Sequence, residues 1–281
     1  MGDCERWRCW DGLNPDVLAL IFMKIPSDEL ARTAPFVCRG WRETLSGPYC
    51  WSEIDIEEWC RRVDREDVVD VGVRRLVGRS GRTLRRLTAC RIGNSGFSFV
   101  ASFGKQLQVL QIPRSEVTDL TLQKSASSLT ALQVLDISYC NNITHKGIEI
   151  LGKNCKSLVN FHRNMHSPEY ESSKDNGVTT KICEEEALAV GNTMLGLERL
   201  ELAFGCFSDL GLDVILTNCK ALRSLDIRGC WNVELHGDVG LKFNAVELVK
   251  DPHYDALQLC PSSDEASSDG VDDISDEGKV D

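Results

Sequence analysis

The 281-residue chain has no run near 18 apolar residues, so no stretch has the length of an apolar membrane-crossing helix. Its 13 cysteines include no C-x-x-C pair, which argues against a zinc ribbon or a thioredoxin-like site. It has no phosphate-cradling glycine loop, no G-x-S-x-G turn and no local cysteine–histidine signature. The sequence therefore points to no catalytic residue, no metal and no cofactor. Positive charge is also short. Lys and Arg number 32 against 43 Asp and Glu, a net charge of −11 and a poor balance for binding nucleic acid. The opening MGDCERWRCWDG lacks the apolar core of a secretory leader, and Arg6 stands where myristoylation needs Ser or Thr. The expectation is a chain of the nucleus and/or cytoplasm, with reduced thiols and an unused sequon at Asn142-Ile143-Thr144.

What is present divides in two. Trp10 to Trp51 does not repeat. Pro15 suits the first turn of a helix, with Asn14 as its cap. Val17, Leu18, Ile21, Phe22 and Ile25 then give a broad apolar face. Pro26 stops that helix, Ser27 caps a second, and Pro35 is placed to open a third carrying Val37, Cys38 and Trp41. Three short helices in about 40 residues are little material for an independent core. From pattern alone the module is either a partner-docking unit or an N-terminal helical cap on the next domain.

The rest is periodic. Leu-x-x-Leu-x-apolar appears from Leu84, Leu107, Leu132, Leu197 and Leu222, with a degenerate copy from Leu158 to Phe161. Each unit is expected to make a strand, a turn and a helix such as residues 146–153. No unit can bury its leucines alone, so the units stack into an α/β solenoid with concave strands and convex helices. Ile54-Asp55-Ile56 and a helix over 67–77 read as an irregular first unit, and residues 246–249 as a last strand. The long step between the fourth and fifth units places an insertion at about 166–181. Residues 261–281 carry eight acids against Lys279 and almost no large apolar side chain, a composition that favours disorder. Ser262 and Ser263, ahead of Asp264 and Glu265, offer an acidic context for phosphorylation.

The run Leu13…Pro15…Leu18…Ile21-Phe22…Ile25-Pro26…Leu30…Val37-Cys38…Trp41…Trp51 resembles the F-box motif, with Asn14 inserted where Leu and Pro are usually adjacent. Residues 132–157, with Cys140 and Cys155, resemble the cysteine-containing leucine-rich repeat, and Cys230 and Cys219 recur in place. Together they resemble the F-box/leucine-rich-repeat proteins, most closely a small plant subfamily. The resemblance implies a three-helix F-box over 8–53, a first repeat or cap over 54–83 and a short curved repeat array over 84–250. It further implies a non-catalytic substrate receptor that binds a Skp-type adaptor, and through it a cullin, and promotes ubiquitination and degradation of a protein substrate. Leu13, Pro15, Ile21, Phe22, Val37, Cys38 and Trp41 are then the adaptor-binding candidates, each either facing the adaptor or building the module's core. A scaffold outside any ligase is the alternative.

Residues flanking the inner leucines of each strand should face the concave surface. Asn160, His162, Arg163, Asn164, Arg199, Glu201 and Arg228 are the substrate-binding candidates. Arg163 breaks the pattern, because it falls where a buried leucine belongs. Either the strand bulges there, or Arg163 reaches a carboxylate or carbonyls. His162 and His166 are four apart, but strand and turn would not bring them together on a metal. Six arginines between 74 and 86 suit nucleic acid, nuclear import, the chain's own acidic tail or simply a solvated face.

Overall fold

The computed structural model describes residues 13–167 and 181–254. The expected tail at 261–281, its serines, residues 8–12 of the N-terminal module and most of the insertion lie outside the described residues. Eight strands form one parallel sheet in chain order. They are β1 (Glu53–Asp55), β2 (Arg86–Thr88), β3 (Val109–Gln111), β4 (Val134–Asp136), β5 (Asn160–His162), β6 (Arg199–Glu201), β7 (Ser224–Asp226) and β8 (Leu248–Lys250). The register aligns Ile54, Leu87, Leu110, Leu135, Phe161, Leu200, Leu225 and Val249 in one row. All but Val249 are buried. This row is the spine of the core, and it is why a repeat of spaced leucines can fold only as a stack.

Helices cross between the strands: α4 (Glu57–Val63), α5 (Glu66–Arg79), α6 (Asn94–Ser102), α7 (Asp119–Ser125), α8 (His145–Asn154), α9 (Glu185–Thr193), α10 (Asp209–Asn218) and α11 (Asp238–Asn244). Their starts are tied to the preceding repeat. Asp70 of α5 accepts from the backbone N–H groups of Gly93 and Gly96, both at 2.8 Å. Asp119 accepts from Thr144 N, and Glu184 from Ser208 N and Gly211 N. Asp209 accepts from the N–H groups of Glu234, Leu235 and His236. Burial opposes the Asp209 charge, yet these three donors hold its carboxyl below the usual range. Each carboxylate thus satisfies orphan amides that open the next unit. Gly229 has φ +70°, and a Cβ there would come within 2.2 Å of the Phe204 ring, so only glycine lets those two units approach.

The N-terminal module holds α1 (Pro15–Phe22), α2 (Ser27–Thr33), a 3₁₀ turn (Ala34–Phe36) and α3 (Arg39–Leu45). Asn14 caps α1 by accepting from Asp16 N. Ser27 is not a cap: Pro26 holds that position, and the Ser27 hydroxyl accepts from Asp55 N instead, tying α2 to β1. The third helix starts at Arg39 rather than Pro35, with Cys38 Sγ accepting from Trp41 N. Pro35 opens only the 3₁₀ turn.

The repeat cysteines pack as small apolar groups with weak bonds to neighbouring units. Cys140 Sγ donates to Ile112 O and Cys230 Sγ to Leu202 O. Burial pushes the Cys140, Cys155 and Cys230 thiols up to about 12 and Cys219 to about 11. These four should resist iodoacetamide at pH 8 in the native protein and react only on unfolding. The exposed Cys183 and Cys206 should alkylate first of the six, with peptide mass spectrometry as the check. Native labelling of Cys140 would mean that the repeats open locally.

Candidate functional site

The open face of the sheet carries two rows of side chains beside the buried spine. The row at the third strand position reads Asp55, Thr88, Gln111, Asp136, His162, Glu201, Asp226 and Lys250. Most of its charged groups already have partners within the chain: Asp55 and Asp136 accept from backbone N–H groups, and the others face opposite charges. Asp226 accepts from Arg228 Nε at 2.9 Å and from Lys250 Nζ at 3.1 Å. Burial works against the Asp226 charge, but the Arg228 side chain and backbone N–H and the Lys250 ammonium hold its carboxyl below the usual range. His162 Nδ1 lies 3.6 Å from Glu201 Oε2. Asn164 Nδ2 donates to the same Glu201 oxygen at 3.0 Å, Asn164 Oδ1 accepts from Ala203 N, and Asn164 N donates to Ser138 Oγ. A polar partner here must exchange hydrogen bonds rather than find free groups, which favours shape and geometry over net charge.

Of the seven substrate-binding candidates, six stand on this face. Asn160, His162, Asn164, Glu201 and Arg228 are half-buried, and Arg199 is exposed at the start of β6. Arg163 is the correction. It is 2% exposed and lies in the next inward row, between Ile137 and Leu202. Its Nη1 donates to Cys140 O at 3.0 Å, its Nη2 to Ile143 O at 2.8 Å and to Glu186 Oε1 at 3.0 Å. Of the two readings open at this position, the reach to carbonyls and a carboxylate is the one observed. Arg163 braces the interior and is not placed to touch a substrate.

Two contacts went unforeseen. Tyr139 follows β4 with φ 61°, and its ring lies 4.5 Å from the His166 ring. The Arg114 guanidinium lies over the same ring, 5.4 Å from its centroid. Arg114, Tyr139 and His166 therefore form a ledge in contact across three repeats, at the foot of the insertion. The signal in sequence was weak: Arg114 and Tyr139 hold the same place after successive strands. β5 and β6 pair directly despite the long step between them. Met165 N donates to Ala203 O and Cys183 N to Cys206 O, so both ends of the insertion return to β6 and the turn after it. Among the described residues no group of three His, Cys, Asp or Glu is set to hold a metal.

The second candidate surface is on the N-terminal module. α1 turns Leu18 and Phe22 inward and leaves Val17, Leu20 and Ile21 outside, at 45%, 64% and 36% exposed. Val37 is 58% exposed, Pro15 is exposed, and Leu13 is half-buried. Leu13, Pro15 and Leu18 line a cleft of about 580 Å³ with Gly40 and Thr44 of α3. Phe22 is fully buried, with its ring 5.0 Å from that of the half-buried Trp41. Of the two roles open to Phe22, the buried ring takes the core one. Cys38 is half-buried and acts as the α3 cap.

A parallel one-sheet solenoid headed by a small helical module that leaves apolar side chains outside defines a repeat-built protein. No protein-family model matches the chain. Among curated proteins, F-box protein FBW2 of Arabidopsis thaliana is 41% identical over 234 residues, covering 83% of this chain and 71% of that protein. F-box protein SKIP1 of the same plant is 32% identical over 238 residues, covering 79% of each. Putative F-box/LRR-repeat protein 9, also from Arabidopsis thaliana, is 27% identical over 83% of this chain and 93% of its own length. In the solved complex of Rad7 and Elc1 from yeast, one chain aligns over 58% of this one and 40% of itself. The TM-score is 0.45 and the identity 22%. The chain belongs to the F-box protein family, whose members similar to it include F-box/LRR-repeat proteins.

Proposed function

We propose that this chain is the substrate-recognition subunit of a Skp–cullin–F-box ubiquitin ligase, in the nucleus, the cytoplasm or both. The module up to residue 52 docks a Skp-type adaptor, and the repeats from residue 53 hold a protein substrate on the open sheet face. The observation that carries the reading is the outer face of α1. A short surface helix normally has one apolar stripe, turned to the core. α1 has a second, of Val17, Leu20 and Ile21, with Val37 exposed on the same module. Contiguous exposed apolar side chains of this kind mark a protein interface.

The subunit's own part is proximity. Holding a substrate beside the transferring enzyme raises its effective concentration, with no chemistry done by this chain. On the sheet face, Asn160, His162, Asn164, Arg199, Glu201 and Arg228, with the Tyr139–His166 ledge, form the substrate contact.

The test is co-purification with a Skp-type adaptor, comparing the intact chain with Leu20→Glu/Ile21→Glu. Both side chains are outside, so the fold should be kept and the melting temperature unchanged. Adaptor affinity should fall at least about 100-fold, as it does when central apolar anchors are lost. An unchanged affinity would sink this assignment of α1. Adaptor binding without any effect on substrate turnover would favour a scaffold outside the ligase.

A further inference from the structure

The arginines between 74 and 86 have no part in the function above, and the structure separates them. Arg86 faces Glu53 at 3.7 Å. Arg79 lies over the Trp51 ring, 4.8 Å from its centre. Arg75 and Arg79 also join Arg32 of α2 around a groove of about 380 Å³ between the N-terminal module and α5. Trp59, Leu76 and Phe36 supply its apolar surface, and Phe36 stands 78% exposed. A Cβ at Gly72 would come within 2.6 Å of the Trp59 ring, so Trp59 can lie against α5 only because that position has no side chain.

The charge around this groove is unbalanced. Among the described residues no carboxylate pairs with Arg32, Arg75 or Arg79. The one acid on its wall, Asp28, is held by Arg62 at 3.0 Å. Burial, and next the neighbouring Arg75, push the Arg79 pKa below the ordinary arginine value. Its charge is opposed where it sits, and an anion bound beside it would relieve both effects.

The chain carries a segment of matching chemistry. Val271-Asp272-Asp273-Ile274-Ser275-Asp276-Glu277 sets two apolar side chains three residues apart among four carboxylates. We infer that residues 271–277 dock in this groove, with Val271 and Ile274 on the Trp59, Leu76 and Phe36 surface and the carboxylates against Arg32, Arg75 and Arg79. The reach is sufficient. The described chain ends at Tyr254, just past β8, and the groove lies at the β1 end of the sheet. Seven inter-strand steps span about 34 Å, and the roughly 17 residues from Tyr254 to Val271 reach up to about 56 Å extended. A tether of that length supplies a local concentration of millimolar order, so a contact too weak for a free peptide can hold within the chain.

The test places a photocrosslinker at the groove's edge, as Phe36→p-benzoylphenylalanine in the full chain, and maps the products by mass spectrometry. The expected product is a monomer crosslinked to residues 271–277, with a yield that falls as salt rises. Arg32→Glu/Arg75→Glu, both on exposed side chains, should cut that yield about tenfold, because two attractions become repulsions. Adding Asp272→Arg/Asp273→Arg should restore it. If the charge reversal disturbs folding, Asp272→Asn/Asp273→Asn/Asp276→Asn/Glu277→Gln, which leaves the groove intact, must give the same loss. A crosslinked dimer, a crosslink only to added adaptor, or a tail crosslink indifferent to the reversal would each overturn the inference.

Discussion

Replacing Arg163 with alanine should lower the unfolding free energy by about 3–5 kcal/mol, the cost of breaking a buried, hydrogen-bonded ion pair from one side. The guanidinium joins two repeats and both sides of the insertion. From the end of β5 it reaches Cys140 O and Ile143 O of the preceding unit, and Glu186 of α9 beyond the insertion. Cys140 O also accepts from Ile143 N, but Arg163 is the partner found for Ile143 O. Alanine would strand that carbonyl and the half-exposed Glu186 carboxylate, and would leave a void between Ile137 and Leu202. Arg163→Leu fills the volume, as the repeat pattern would have it, and should still cost more than about 1 kcal/mol for the stranded carbonyl. Arg163→Leu with Glu186→Leu removes the charge on both sides and should recover a large part of the loss, since apolar replacements of buried ion pairs are often neutral. Urea unfolding of the three variants decides it. A loss below about 1 kcal/mol for alanine would show that the brace is idle.

Arg163 also shows what the sequence could and could not reveal. The leucine rows were legible because burial of one face repeats with the unit, and one missing leucine was enough to mark position 163. Its role was not legible, because the groups that answer a guanidinium are backbone carbonyls of another repeat and a glutamate beyond the insertion. The same limit applies to the open face. Asn160, His162, Asn164, Arg199, Glu201 and Arg228 could be placed there by strand alternation, since successive side chains point to opposite faces. That Asp226 is shared by Arg228 and Lys250 could not be, because pairing depends on rotamers across strands. Asp70, Asp119, Glu184 and Asp209 read as ordinary surface acids in sequence. They are the links between units, and only the stacking reveals which amides they meet. In the N-terminal module the apolar period found the helices but could not sort Phe22 from Ile21. One is core and the other surface by a rotation of a single residue around α1.

Trp51→Ala should be the most damaging single change at the joint between module and repeats, costing about 3–5 kcal/mol. Trp51 is fully buried, donates through Nε1 to Leu45 O at 2.9 Å and carries Arg79 over its ring. Around it the joint carries the Arg62–Asp28 ion pair and a set of backbone and hydroxyl bonds. Ser52 O accepts from Arg85 N and Arg86 N, Asp55 N donates to Ser27 Oγ, and Thr83 Oγ1 donates to Pro48 O. A module of three short helices has too little core to stand without that ring. In the intact chain, exchange protection in α1–α3 and in β2–β4 should therefore be lost at one denaturant concentration. In Trp51→Ala, α1–α3 should open first while the repeats persist, because each repeat is held mainly by its neighbours. That order would mean that the adaptor-docking face is held in shape by the solenoid, so damage to the first repeat would release the adaptor without touching α1. Simultaneous loss of both regions in the variant would show instead that the joint and the array form one cooperative unit, with Trp51 at its centre.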